Sequence, residues 1–369
     1  MATKYHNLFN TIEIGKLRIP NRLAVAPMTR VSAGLDGRVG PLMEEYYEGF
    51  AHGGFGLIIT EGLYTDRLYS QGYKYQPGMT CHDHAQSWKP IITRVHKQGA
   101  RIYAQLMHAG ALSQYNPYAN QNAGPSMVRP QGRQMPFYYG EGPYPMPEAM
   151  TQRDIAMVVK GFAQAARLAQ LAGFDGVEIH GANGYLLDQF LTTYTNKRKD
   201  CYGGVLTNRL RIYKETLKSV RAAVGKDFVV GVRFSQKKVN DTNYIWPEGE
   251  AGAAEVFELM KQCGADYIHT TEPKIDNPAF ENSNSLASLA RKYSTLPVIA
   301  NGGITDPKLA AQVLKNNEAD IISLGKTALA NQDWPNTIKR NQTPKNFTFD
   351  MLSPHATLEC ARDYFQRKS

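Results

Sequence analysis

Short apolar runs alternate with longer amphipathic stretches along nearly the whole chain. The runs at 23–26, 57–61, 101–106, 176–180, 229–235, 265–271, 297–301 and 320–325 are mostly rich in Val and Ile and nearly free of polar residues. Strands buried on both faces read this way, because neither face is given to water. Each gap between runs has room for a helix, and several gaps carry helix punctuation. Thr151-Gln-Arg-Asp154 has the form of a capping box, followed at helical spacing by Ile155, Val158, Val159, Phe162 and Ala166, with Gly173 suited to the final turn. Thr305-Asp306-Pro307 opens another helix, with proline where its missing N–H costs nothing. Residues 84–98, with Trp88, Ile91, Ile92 and Val95 on one face, end at Gly99. Eight β-then-α units predict one (β/α)8 TIM barrel spanning 1–369, since doubly wound sheets usually have fewer strands. No internal repeat or low-complexity linker breaks the chain.

Two connections are long for such a barrel. Residues 110–147 are full of Tyr, Pro, Gly and Asn, and 236–247 follow the fifth strand. Both belong at the C-terminal face, where barrel active sites are built, and both are expected to be lids. The same face collects the strand ends: Pro27-Met28-Thr29, Glu61-Gly62, Gln105 with His108 beyond it, His180, Arg233, Asn301-Gly302-Gly303 and Gly325-Lys326. Glycines after the seventh and eighth strands are where barrels commonly hold phosphate on backbone N–H groups, and Lys326 adds a point charge.

Within that rim, His180, Asn183 and Tyr185 stand close in sequence. The first two offer hydrogen-bond donors for an oxygen that gains negative charge, and the tyrosine offers a proton. A lone histidine there is more often a buried residue satisfied by a backbone carbonyl, and Tyr185 alone is open to a packing role. Their convergence with Arg233 turns the reading toward chemistry.

Composition narrows the classes. The net charge of +9 is spread along the chain, with no basic tail or nucleic-acid motif, so no nucleic-acid partner is expected. Cys81, Cys201, Cys263 and Cys360 make no C-x-x-C pair, and His82-Asp-His84 has no third ligand, so no metal is expected. No G-x-G-x-x-G follows a strand. No apolar run approaches membrane-span length, and Met1-Ala-Thr-Lys-Tyr-His6 lacks a signal pattern, so the expectation is a soluble cytoplasmic protein without a membrane partner.

Three segments resemble the old yellow enzyme family of flavin mononucleotide (FMN) ene-reductases. They are NRLAVAPMTR from Asn21 to Arg30, QLMHAG from Gln105 to Gly110, and AGFDGVEIHGANGYLLDQFLTTYTNKRKDCYGG from Ala172 to Gly204. The likeness runs through almost the whole chain, and the last segment is the most specific. It implies a noncovalent FMN across the barrel mouth: Pro27, Met28 and Thr29 at the ring edge, Gly62 and Gln105 at the pyrimidine side, and Arg233 by the N1–C2 region. Asn301, Gly302, Gly303, Gly325 and Lys326 would form the phosphate end. The resemblance implies that His180 and Asn183 bind the substrate's activating oxygen, that Tyr73 and Met107 add to the substrate pocket, and that Tyr185 donates the proton. Reduced nicotinamide, NADPH or NADH, would reduce the flavin and leave. An α,β-unsaturated carbonyl or nitroalkene would then be reduced in the same site.

The chain departs from the family pattern at Lys326, commonly arginine; at Ala111, where many relatives have arginine; and at Thr192-Thr193-Tyr194, where a Ser-Pro pair is usual. Two other readings stay open on the residues alone: a flavin-free phosphate-binding barrel lyase or isomerase, and a ligand-binding protein without turnover. The physiological substrate, the choice between nicotinamides, and monomer against homodimer are not legible.

Overall fold

In the computed structural model, which describes residues 4–368, the eight apolar runs form eight parallel strands. They are β1 (Leu23–Val25), β2 (Leu57–Ile59), β3 (Arg101–Met107), β4 (Gly176–His180), β5 (Val229–Phe234), β6 (Tyr267–Thr271), β7 (Val298–Asn301) and β8 (Ile321–Leu324). Neighbours follow the order β2-β1-β8-β7-β6-β5-β4-β3, and β2 also pairs with β3, which closes the barrel. Each strand is followed by a barrel helix, with further short helices after β4 and β8: α1 (Pro41–His52), α2 (His82–Lys97), α3 (Gln152–Ala172), α4 (Arg211–Val224), α5 (Gly249–Gln262), α6 (Leu286–Ser294), α7 (Pro307–Lys315) and α8 (Trp334–Lys339). The expected caps are formed. Thr151 and Asp154 bond reciprocally at 3.2 and 2.8 Å, and Gly173 ends α3 at a φ of 102° that suits glycine.

Strand alternation divides the apolar side chains into two cores. Val230, Val232 and Phe234 of β5, Val177 and Ile179 of β4, and their counterparts pack outward in the large core shared with the helices. Ala24, Leu57, Ile59, Tyr103, Val229, Tyr267, Ile299 and Ile321 form a second cluster on the barrel axis. Its floor is a two-stranded hairpin, Ile12–Ile14 with Leu17–Ile19, whose Ile14 and Ile19 are fully buried in this cluster. The hairpin was not expected. Its signal was the alternation Ile12-Glu-Ile14 and Leu17-Arg-Ile19 around a Gly15-Lys16 turn, with Gly15 at a φ of 58°.

Gly231 faces the axis between these layers, and a Cβ there would overlap the Tyr267 ring. Gly231→Ala is therefore expected to destabilise the protein by about 1–3 kcal/mol through overpacking. Thermal unfolding of the two proteins measures it, and an unchanged midpoint would show that the ring has room to move.

The long connections are folded. Residues 110–147 contain a turn of helix at Pro136–Tyr138, and Ala123–Gly124 pairs with Glu148–Ala149. The C-terminal stretch lies against this loop: Ala356 N–H donates to Phe137 O at 2.8 Å, and His355 stacks on Tyr139 at 4.0 Å. Within 236–247, Gln236 and Lys238 are buried, which makes that loop a strap rather than a freely hinged lid. Among the described residues, no helix is long and apolar enough to cross a membrane.

Candidate functional site

The strands place their inward residues in register. Arg233 of β5 sits between His180 of β4 and His269 of β6, and Gln105 of β3 lies beside Glu178 of β4. Above the apolar axis layer, these side chains form a polar layer at the C-terminal end of the barrel. It opens into a cleft of about 870 Å³, within the range of small-molecule and cofactor sites.

Glu178 and His269, unremarked in the sequence, form the base of this layer. Both side chains are fully buried, with His269 Nδ1 and Glu178 Oε2 2.8 Å apart. Glu178 also accepts from Gln105 Nε2 at 2.9 Å and from the Tyr267 hydroxyl at 3.1 Å. Burial works against its charge, but the hydrogen bonds from His269 and Gln105 and the Arg233 charge outweigh burial and hold Glu178 below the ordinary carboxylate range. Burial keeps His269 below its ordinary value, so it is neutral at pH 7; with Nδ1–H given to Glu178, its Nε2 is free to accept from the Ser323 hydroxyl, 2.8 Å away. Arg233 is then the cation that balances Glu178. The available signal was a charged residue at an inward position of each apolar strand, Glu178 within GVEIH and His269 within YIHTT.

His180 lines the cleft, and burial next to the Arg233 charge lowers its pKa to about 3. It is therefore a neutral imidazole at pH 7. Its buried Nδ1 and the buried Nε of Arg233 have no partner in the protein. Such groups are costly unless a ligand supplies the missing hydrogen bonds. Asn183 stands in a left-handed turn (φ 61°), which lets the chain reverse between β4 and the short helix Leu186–Leu191. The Tyr185 ring lies 5.0 Å from the His180 ring, and burial raises its hydroxyl pKa, so it stays protonated.

Most of the expected cofactor residues border the same cleft: Pro27, Met28, Thr29, Gly62, Gln105, Arg233, Asn301, Gly303, Gly325 and Lys326, together with Met107. Asn301 is held in place by Thr271 Oγ1 at 2.9 Å and donates to Ser323 O at 2.8 Å. Gly62 is necessary at its position, since a side chain there would run into Met107. Gln76 Nε2 holds the Gly62 carbonyl at 2.7 Å. Lys326 is exposed, with Nζ 4.7 Å from the Phe349 ring.

Two expected residues stand off the cleft. Gly302 packs against the backbone of Ile275, where a Cβ would lie 2.5 Å from N, so its task is to let two segments approach. Tyr73, expected as a pocket wall, is fully buried behind Tyr185 and shares a short hydroxyl–hydroxyl hydrogen bond with it.

Other cleft residues were missed. Met135, Phe137 and Tyr138 come from the long loop, and Asn346, Phe347, Phe349 and Leu352 come from the C-terminal stretch. Glu272, at the end of β6, also borders the cleft, and burial lifts its carboxyl to about 7. Glu61 lies behind the cleft wall, where burial likewise raises it to about 7. It accepts the Arg30 N–H at 2.9 Å and so fixes the turn after Thr29.

Comparison with known proteins places these features in a family. Residues 7–345 match the family described as NADH:flavin oxidoreductase / NADH oxidase. The chain is 32% identical over 353 residues to 12-oxophytodienoate reductase 7 of Oryza sativa subsp. japonica, covering 90% of this chain and 88% of the relative. It is 31% identical over 349 residues to an NADH oxidase of Thermoanaerobacter brockii, and that match spans only about half (52%) of the relative. Among solved structures, the old yellow enzyme homologue from Zymomonas mobilis superposes with a TM-score of 0.85 at 29% identity, covering 97% of this chain and 99% of that one. Morphinone reductase in complex with tetrahydroNAD gives 0.82 at 31% identity, covering 92% of each chain.

Proposed function

This chain belongs to the NADH:flavin oxidoreductase / NADH oxidase family, the old yellow enzymes, and is an FMN-dependent nicotinamide oxidoreductase; we propose that it reduces activated C=C bonds in α,β-unsaturated carbonyls and nitroalkenes. The observation that carries this reading is the neutral His180, its Nδ1 without a partner, beside Asn183 and the protonated Tyr185 on one cleft. An electron-poor alkene needs that set: donors for the oxygen that gains charge, and an acid for the carbon that becomes basic.

The residues present fit FMN. Arg233 offers a buried cation whose Nε lacks a partner, Gly62 and Gly303 keep the rim free of side chains, and the cleft is large enough. Pro27, Met28 and Thr29 would meet the ring edge, Gly62 and Gln105 its pyrimidine side, and Arg233 the N1–C2 region. Gly303, Gly325 and Lys326 would hold the phosphate, with Asn301 and Gly302 shaping that end. When bound, FMN supplies reversible two-electron transfer between a nicotinamide, NADPH or NADH, and the alkene.

The protein's own groups then set the outcome. His180 and Asn183 hold the carbonyl or nitro oxygen and gain strength as its charge grows. Tyr185 gives its proton to Cα. The Tyr73 hydroxyl, bonded to the Tyr185 oxygen, takes part of the charge left there. Met107, Phe137 and Tyr138 border the space left for the alkene's substituents. Family membership leaves the flavin-free lyase or isomerase without support.

The purified protein is expected to be yellow, to release FMN on denaturation, to bleach anaerobically with NADPH or NADH, and to regain colour with 2-cyclohexenone. Absorbance at the flavin band follows each step. Reduced protein that is reoxidised by oxygen but not by enones or nitroalkenes would overturn the ene-reductase reading.

A further inference from the structure

The strap after β5 carries a lysine into the protein interior. Lys238 Nζ lies 2.5 Å from Asp188 Oδ1, and the two side chains are 1% and 0% exposed. Tyr244, from the same strap, places its ring 4.6 Å from the ammonium. Taking both charges out of water is expensive, and an apolar pair of similar volume commonly serves stability as well or better. A buried pair therefore invites the question of what its geometry fixes.

Asp188 does more than neutralise Lys238. Its Oδ2 accepts the Gly184 N–H at 2.7 Å. The preceding residue, Asn183, is tied from the other side: its carbonyl accepts Val239 N–H at 3.0 Å, and its N–H donates to Ser235 Oγ at 2.8 Å. Val239 follows Lys238 directly in the chain. The left-handed turn at Asn183-Gly184 thus has one fastener from the helix that follows it and one from the strap, and the Lys238–Asp188 pair joins the two. Neither Lys238 nor Asp188 borders the cleft. A one-sided loss would free the turn to relax while leaving every cleft side chain in the sequence.

We propose that the buried Lys238–Asp188 pair is a positioning device that locks the Asn183-Gly184 turn, so that the Asn183 amide and the Tyr185 hydroxyl address one substrate together. The inference rests on the reading that His180 and Asn183 bind the substrate oxygen.

The test uses FMN-loaded enzyme and 4-chlorophenol, whose phenolate stands in for that oxygen and whose binding is followed by the long-wavelength absorbance it induces with the flavin. Lys238→Met is expected to keep its FMN but to bind 4-chlorophenol about 10–100-fold more weakly, the scale of a misplaced binding group. Its enone KM should rise more than its kcat falls. Lys238→Met with Asp188→Leu removes both charges. That double variant should regain the thermal midpoint lost by the single one, without regaining phenol affinity, because Asp188→Leu takes away the Gly184 acceptor as well. If Lys238→Met does not fold, the double variant alone decides. Wild-type phenol affinity in Lys238→Met, or affinity that returns with the thermal midpoint in the double variant, overturns the inference and assigns the pair to stability. Wild-type phenol affinity in His180→Ala with Asn183→Ala would instead overturn the substrate-oxygen reading beneath it.

Discussion

Tyr185→Phe is expected to slow reoxidation of the reduced enzyme by 2-cyclohexenone by about 10²–10⁴-fold, the usual contribution of a positioned acid. Reduction by NADPH or NADH should stay close to wild type, because that half-reaction needs no proton from the protein. The geometry supports the split. Tyr185 is buried and protonated, lies beside the His180 ring, and has its oxygen bonded to Tyr73. Removing one hydroxyl leaves the ring, the His180–Asn183 pair and the cleft walls in place. Anaerobic stopped-flow absorbance separates the two half-reactions. Equal losses in both would mean that Tyr185 shapes the cleft and does not deliver the proton.

Arg233→Met is expected to cost about 1–3 kcal/mol of stability, because the buried Glu178 charge loses a nearby cation, and to lose FMN as well. The cost follows from the assignment of charge beneath the cleft. Glu178 is ionised, His269 is neutral, and Arg233 is the cation that offsets the carboxylate. Adding Glu178→Gln to Arg233→Met should restore much of the thermal midpoint but not the flavin, because the charge proposed to face the flavin N1–C2 region remains absent. Thermal unfolding and flavin-to-protein absorbance ratios measure both. Full stability in Arg233→Met would mean that His269 carries the positive charge, which would require Ser323 to accept a hydrogen bond from it.

The barrel was legible because buried parallel strands are apolar on both faces, and β4 coincides with its expected run, 176–180. The strand ends were legible for the same reason: each polar residue at the close of an apolar run had to face something other than the core. The base of the polar layer below them was not. Glu178 and His269 look like interruptions of a strand until register places Gln105, Tyr267 and Arg233 around them. The hairpin at Ile12–Ile14 and Leu17–Ile19 alternates as a half-buried strand should, yet only the closed barrel shows what its buried side covers. Met135, Phe137, Tyr138 and Phe349 reach the cleft from segments whose path depends on tertiary contacts, such as Ala356 N–H with Phe137 O, and no periodicity encodes those. Lys238 is the sharpest case: a lysine in a polar loop reads as solvent-exposed, and only its partner Asp188 makes burial possible.

The hairpin at the foot of the barrel also bears on the order of events at its mouth. With Ile14 and Ile19 packed beneath the axial cluster, the lower end of the barrel is filled, and the large cleft lies at the opposite end. On the proposed function, electron donor and electron acceptor would then arrive and depart through that same cleft. On the proposed reaction, spent nicotinamide would have to vacate before an alkene takes its place, and an excess of either would obstruct the other. The filled axis above the hairpin thus leaves the two proposed co-substrates to take turns at one cleft.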